Sequence, residues 1–294
     1  MEKKLLMIVN PRAGRNKSHG PLFDAAAIFS EAGYLLRIHR TTAPGDATET
    51  VAREGSQYDL VVASGGDGTL NETIAGLVQL DNPPLLGYLP QGSTNDFASS
   101  LHISDDPAAA AEVIVQEHAQ VLDVGFWNQR PFAYVASFGA FTRTSYTASQ
   151  ASKNALGHFA YILEGMKDLN SLRPYRIRVT ADGEVLDGDY LFGAVCNSTS
   201  IGGLMKLDPE RVVLDDGKFE MLLVPSPKTA ADLQNLVLAL LNQQYDSQGL
   251  VFRHVSSLRL ETEEELPWSL DGEYAPSVPV VDIVNRQRAL RMLL

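Results

Sequence analysis

The sequence predicts an α/β N-terminal domain with a parallel sheet, residues 1–122, followed by a β-rich, mainly antiparallel C-terminal domain, residues 123–294. The extreme C-terminus is left free to pack back on the first domain. Three observations carry this reading. A length of 294 residues is about two ordinary domains. The first third alternates short apolar runs with helical periodicity, the pattern of βαβ units. Beyond Val121 the strand-like runs are joined mainly by turn signals.

In chain order, residues 5–9 form a short apolar strand that stops at Asn10-Pro11-Arg12. Pro21 suits the first turn of a helix whose apolar positions Leu22, Ala25, Ala26 and Phe29 run to Gly33. Residues 34–39 read as a strand, 46–54 as a short helix, and 60–63 as a strand buried on both faces. A helix over 69–79, a strand over 85–89 and a helix over 107–117 complete the domain. In the second half, strands over 176–180 and 185–192 flank Asp182-Gly183, a dipeptide suited to a two-residue hairpin turn. Residues 211–214 and 219–224 read as further strands, and 151–169 as a helix. A last helix starts at Thr229, with Asp232 three residues on, and its Leu233, Leu236, Val237, Leu240 and Leu241 form a stripe suited to core packing.

Composition narrows the function. The formal net charge is −12 and the chain's pI is near 4.9, which argues against a dedicated nucleic-acid binder. The single cysteine, Cys196, sits in an apolar run and reads as a buried strand residue in a reducing compartment. The apolar run at 5–9 is too short for a signal peptide, and no stretch reaches the length of a membrane span. A cytoplasmic protein is expected.

Three loops hold the candidate chemistry. Gly65-Gly66-Asp67-Gly68-Thr69-Leu70-Asn71-Glu72 lies between a buried strand and a helix, where parallel sheets place ligands. Its glycines let backbone amides approach a phosphate, and the helix N-terminus favours an anion. Asp67 would repel that phosphate unless a cation lay between them, so its natural task is Mg²⁺. A plain strand-to-helix turn, with Asp67 or Thr69 as cap, is the simpler alternative. Asn10-Pro11-Arg12-Ala13-Gly14 and the segment from Pro90 through Ser93, Thr94, Asn95 and Asp96 follow neighbouring strands and can converge on the same ligand. No Walker A loop, nucleophile elbow or histidine spacing for zinc is present.

Taken together, Asn-Pro-x-Ala-Gly at 10–14, Gly-Gly-Asp-Gly-Thr-x-Asn-Glu at 65–72 and Pro-x-Gly-Ser-x-Asn-Asp-Phe-Ala at 90–98 resemble the diacylglycerol kinase catalytic-domain family, the soluble bacterial lipid kinases related to sphingosine and ceramide kinases. The resemblance spans essentially the whole chain and implies an NAD-kinase-like first domain. It implies ATP held by Asn10 to Gly14, by Thr41 before Gly45-Asp46-Ala47, by Gly66 to Glu72 and by Ser93, with Thr94 able to substitute. It implies a structural Mg²⁺ on the Asp216 carboxylate and the Val213 and Lys218 carbonyls, where a plain hairpin turn is the simpler reading.

The resemblance also places the catalytic acid in Asp271-Gly272-Glu273, with Glu273 as base and Asp271 second. The chain holds the same tripeptide at Asp182-Gly183-Glu184, and both copies suit hairpin turns. The implied protein is an ATP- and Mg²⁺-dependent lipid kinase whose partner is a membrane lipid reached by transient peripheral docking; a homodimer is left open. A soluble nucleotide kinase of the NAD kinase type and an idle nucleotide-binding regulator are the alternatives. Phe126, Trp127, Phe138, Phe141, Met205 and Trp268 are candidates to line a lipid site, with core packing the simpler role. Lys153, His158, Lys167, Arg173, Arg176 and Arg178 are candidates for a docking surface, with ordinary solvated charge the simpler one.

Overall fold

The computed structural model describes residues 2–13, 20–93, 95–139, 173–201, 205–207, 209–242, 244–245 and 249–294. The chain forms two compact units, residues 1–124 with 288–294 and residues 125–287.

The first unit begins β1 (Lys3–Val9), α1 (Gly20–Glu31), β2 (Tyr34–Arg40), α2 (Asp46–Glu54), β3 (Leu60–Gly65) and α3 (Asp67–Leu77). It continues with β4 (Leu85–Pro90), α4 (Asp96–Ser100), α5 (Pro107–Ile114) and the start of β5 (Ala119–Trp127). The strands pair in parallel in the order β4-β3-β1-β2. Val9 lies opposite Arg40 and Ser64, and Gly65 opposite Pro90, so four successive loops leave one edge of the sheet side by side. The inner strands β3 and β4 and the second half of β1 are almost wholly apolar because helices cover both faces, whereas the edge strand β2 carries Arg37, His39 and Arg40. Leu5, Met7, Leu60, Val62 and Phe29 are fully buried in one cluster, each contributing about 1.5–3 kcal/mol of burial. The end of the chain belongs to this unit: Met292 pairs with Leu86, and the Arg288 amide, at a left-handed residue, donates to the buried Asp123 carboxylate at 2.7 Å.

The second unit contains β6 (Arg130–Phe132), β7 (Val135–Gly139), β8 (Tyr175–Ala181), β9 (Glu184–Cys196), β10 (Ser200–Ile201), β11 (Met205–Lys206) and β12 (Phe219–Pro225). After the helix Ala230–Leu241 come β13 (Val251–Val255), β14 (Ser257–Glu261), β15 (Trp268–Leu270), β16 (Glu273–Ala275) and β17 (Val280–Leu293), whose last residues enter the first unit. Pairing is antiparallel. The long β9 is shared, its first half pairing β8 and its second half lying between β7 and β12. The expected capping box is formed, with the Thr229 hydroxyl on the Asp232 amide and the Asp232 carboxylate on the Thr229 amide.

Two expectations change. Residues 211–214 are not a strand: Pro209–Arg211 is a single 3-10 turn and 214–217 continue as turn and bend. Gly217 is left-handed (φ 80°) and Val213 is half exposed, so neither the backbone nor the apolar surface favours a ladder. The helix after β3 starts at Asp67, two residues before the expected Thr69, with Gly66 as its cap. The helix expected over 151–169 lies outside the described residues.

Candidate active site

The loop after β1 is tied to α3. The Asn10 amide donates to Ser64 O, Asn10 Nδ2 donates to the Thr69 hydroxyl at 3.1 Å, and Asn10 Oδ1 accepts the Arg12 amide at 2.9 Å. Ala13 N–H closes the turn onto Asn10 O, while Pro11 and Arg12 are exposed. Gly14 lies outside the described residues. Thr41 follows β2, its amide and hydroxyl both donating to Val9 O.

Glu72 holds the same neighbourhood from another side. Its carboxylate accepts the Gly45 amide at 2.8 Å and the Ala47 amide at 3.3 Å, at the N-terminus of α2, where an anion is favoured. Glu72 therefore anchors the 41–45 loop. Asp46 fastens the loop's other end, its carboxyl held down to about 2 by the Thr42 amide and hydroxyl and by His39. Leu70 points into the core and Asn71 is buried, so these two positions serve α3 packing.

Gly66 and Gly92 bring the second and third loops into backbone contact. A Cβ on Gly92 would stand 2.6 Å from Gly66 Cα and 2.6 Å from Asn95 Oδ1; one on Gly65 would meet the Thr69 hydroxyl at 2.4 Å. Asn95 is left-handed and its side chain accepts the Gly92 amide, which shapes the turn. Ser93 is exposed beside it, and Thr94 lies outside the described residues.

Asp67 joins the loop after β3 to the loop after β4. Its carboxylate accepts the amides of Asp96 at 3.2 Å and Phe97 at 3.4 Å, in the first turn of α4. Burial, and then the Asp96 charge, push its carboxyl up to about 6 against the pull of those amides; burial alone does the same to Asp96. The Tyr88 hydroxyl, buried nearby and without a partner among the described residues, feels Asp67, Asp105 and Asp96, its phenol raised first by burial and then by these charges. Two carboxylates that repel one another beside an unpartnered phenol suit a divalent cation, so Asp67 and Asp96 fit Mg²⁺. Asp96 was visible only as part of the third motif; its pairing with Asp67 is a tertiary fact.

The loop carrying Val213, Asp216 and Lys218 is held by one internal bond and by side chains of β17. Asp216 Oδ1 accepts the Lys218 amide at 2.9 Å, and the Lys218 carbonyl accepts Asn285 Nδ2 at 3.2 Å. Among the described residues no cluster of three His, Cys, Asp or Glu side chains is arranged for a metal. Cys196 is buried and its thiol is pushed up by burial, then by Glu220.

In the second unit, β15 and β16 are joined by a turn with Asp271 at φ 49° and Gly272 at φ 83°. Asp271 is buried, and its carboxylate accepts three successive amides, Ala133 at 2.6 Å, Tyr134 at 3.0 Å and Val135 at 2.9 Å. That arrangement positions the turn. Glu273 is 45 % exposed and pairs with Arg130 at 3.0 Å. Trp127, Phe138 and Trp268 are buried in the core behind this hairpin, the two indoles edge-on at 6.1 Å. Phe126 carries the Arg286 guanidinium 4.2 Å above its ring. The Met205 side chain and Phe141 are outside the description.

Comparison with known proteins identifies the family and the fold. Residues 4–127 match the diacylglycerol kinase catalytic domain family, and residues 135–294 match the YegS C-terminal NAD kinase beta sandwich-like domain. A diacylglycerol kinase of Bacillus subtilis (strain 168) is 34% identical over 99% of this chain and 96% of its own length. One from Staphylococcus aureus (strain bovine RF122 / ET3-1) is 32% identical over 98% and 91%. The crystal structure of a diacylglycerol kinase from Bacillus anthracis str. Sterne superposes with a TM-score of 0.80, at 27% identity, over 99% of this chain and 96% of that one. The family match and these relatives make this chain a phosphotransferase of the lipid kinase class. The chain belongs to the diacylglycerol kinase catalytic-domain family.

Proposed function

We propose that this protein transfers the γ-phosphoryl group of ATP, with Mg²⁺, to the free hydroxyl of diacylglycerol or a closely related lipid. The observation that carries the reading is the convergence of the loops after β1 and β4 on the loop after β3 and the first turn of α3, Asn10 on Thr69, Gly92 on Gly66 and the Asp96 amide on Asp67, in a chain of this family. The glycine backbone at 65–68 and the start of α3 receive the phosphates, while Asn10, Thr41 and the Glu72-anchored loop bound the nucleotide. Asp67 and Asp96 hold the cation. Mg²⁺ supplies neutralisation of the charge on the transferring group. Glu273 accepts the proton of the attacking hydroxyl, and Asp271 holds the turn that presents it. A structural Mg²⁺ at Asp216, with the Val213 and Lys218 carbonyls, belongs to the same proposal on the strength of the resemblance.

The test is ATP turnover by the purified protein against micellar diacylglycerol, related lipids, NAD and soluble nucleotides, with Asp67→Ala and Glu273→Ala beside it. Phosphorylated diacylglycerol, lost in both variants, is expected. Phosphorylation of NAD and of no lipid would overturn the reading in favour of a soluble nucleotide kinase.

A lipid acceptor requires contact with a membrane, and no described helix is long and apolar enough to cross one. Transient peripheral docking from the cytoplasm is therefore part of the proposal. Lys153, His158 and Lys167 lie outside the described residues, and Arg176 pairs with Asp187 and Asp189, which favours an apolar rim over an arginine patch. Sedimentation with neutral vesicles is expected to hold at high salt; no binding to any vesicle overturns docking.

A further inference from the structure

The acid hairpin has a twin in the same unit. Asp182 and Gly183 adopt φ 44° and 91°, matching Asp271 and Gly272. The Asp182 carboxylate accepts the amides of Ser256 at 2.7 Å and Ser257 at 3.0 Å, as that of Asp271 accepts those of Ala133 and Tyr134. Three residues before the first of those amides stands an arginine in both copies, Arg253 and Arg130, and each pairs with the glutamate after its turn.

The two pairs differ in how the guanidinium is used. Arg253 closes on Glu184 through Nε to Oε2 at 3.0 Å and Nη2 to Oε1 at 3.1 Å, and its Nη1 donates to the carbonyl of its own neighbour Phe252 at 2.9 Å. Arg130 places one arm on Glu273 Oε2 at 3.0 Å and the other on the Tyr274 carbonyl at 3.1 Å. The first geometry engages both carboxylate oxygens. The second engages one oxygen and links it, through the same guanidinium, to the carbonyl of the residue after Glu273, so the carboxylate is oriented against its own strand β16, whereas the backbone contact of Arg253 stays on the arginine's own strand. Both side chains of the Arg130 pair are partly exposed, 36 % and 45 %, so the pair adds little to stability and its content is orientation.

We propose that Arg130 is a positioning residue for phosphoryl transfer: by bridging Glu273 and the Tyr274 carbonyl, it holds the Glu273 carboxylate where it receives the proton of the acceptor hydroxyl. This rests on the reading of Glu273 as the base, and the twin pair provides the control within the same molecule.

The experiment compares Arg130→Gln, Arg253→Gln, Glu273→Gln and the double variant R130Q/E273Q, assayed with ATP and micellar diacylglycerol. Arg130→Gln lowers kcat by about tenfold or more with the KM for ATP within about twofold, since only the proton acceptor is displaced. Arg253→Gln leaves kcat within about twofold, and R130Q/E273Q is no slower than E273Q. A kcat for Arg130→Gln within about twofold of the parent overturns the proposal. So does a slowing that persists undiminished on the Glu273→Gln background, or an equal loss in Arg253→Gln. Full activity in Glu273→Gln overturns the base assignment itself. Should Arg130→Gln fail to fold, Arg130→Lys carries the comparison, because it keeps the charge and loses the fork: reduced kcat supports the proposal and parental kcat overturns it.

Discussion

Burial decides what each acid of the site does. Asp67 and Asp96 are charged at neutral pH in a place that favours their neutral forms, so their ionisation opposes folding. Because the folded value for Asp67 is raised to about 6, the stabilising protonated form is fully present below about pH 4 and is lost as pH rises through about 6. Asp67→Asn is therefore expected to abolish turnover while raising stability by about 1–3 kcal/mol at pH 7.5, a gain that shrinks as the pH falls toward 4. Thermal melts across that range check it, and Mg²⁺ should raise the Tm of the parent protein more than that of the variant. Asp271 and Glu273 separate in the opposite sense. Asp271→Ala strands three backbone amides and is expected to cost about 3–5 kcal/mol. Glu273→Gln, at an exposed side chain, should leave the Tm nearly unchanged while lowering kcat by about 10²–10⁴. Melting curves run beside turnover assays distinguish the two.

At the scale of elements, loop contacts hold the first unit's candidate site together. Gly92→Ala sets a Cβ 2.6 Å from Gly66 Cα, a clash with backbone that cannot turn aside, and the KM for ATP should rise by about tenfold or more with circular dichroism unchanged. Glu72→Gln removes the charge at the start of α2, with an expected loss of about 1 kcal/mol and a KM for ATP raised severalfold. The strands and the glycine loops behind these effects were legible, because apolar runs and Gly or Pro punctuation are local signals. Residues 211–214 resemble a strand, with three apolar side chains beside a turn, until a ladder partner is required. Glu72 was legible as part of a motif but not as the anchor of α2, since its partners Gly45 and Ala47 lie far back along the chain.

Across the whole molecule, the net charge of −12 and the membrane substrate are compatible because docking is a local property, whereas net charge governs the long-range field. The first unit is completed by the far end of the chain: Leu290, Met292 and Leu293 are buried there, with Met292 beside Leu86 of β4. Met292→Ala is expected to cost about 2–5 kcal/mol, and hydrogen exchange should show the loss of protection in β4.

By itself the sequence determined the alternation of strands and helices, the three glycine-rich loops and the family likeness, all of which reside in neighbouring residues or in motif order. Only the tertiary structure decided that Asp67 sits on the amides of Asp96 and Phe97, that Glu72 serves α2, and that Asp271 holds a turn while Glu273 stays accessible. It added a physical difference between the two identical Asp-Gly-Glu hairpins, which the resemblance told apart by position alone: Asp271 is buried, and Arg130 reaches the carbonyl of the residue after Glu273. The physical reason is that burial, charge pairing and hydrogen-bond partners are set by residues far apart in the chain, and a tripeptide carries none of them.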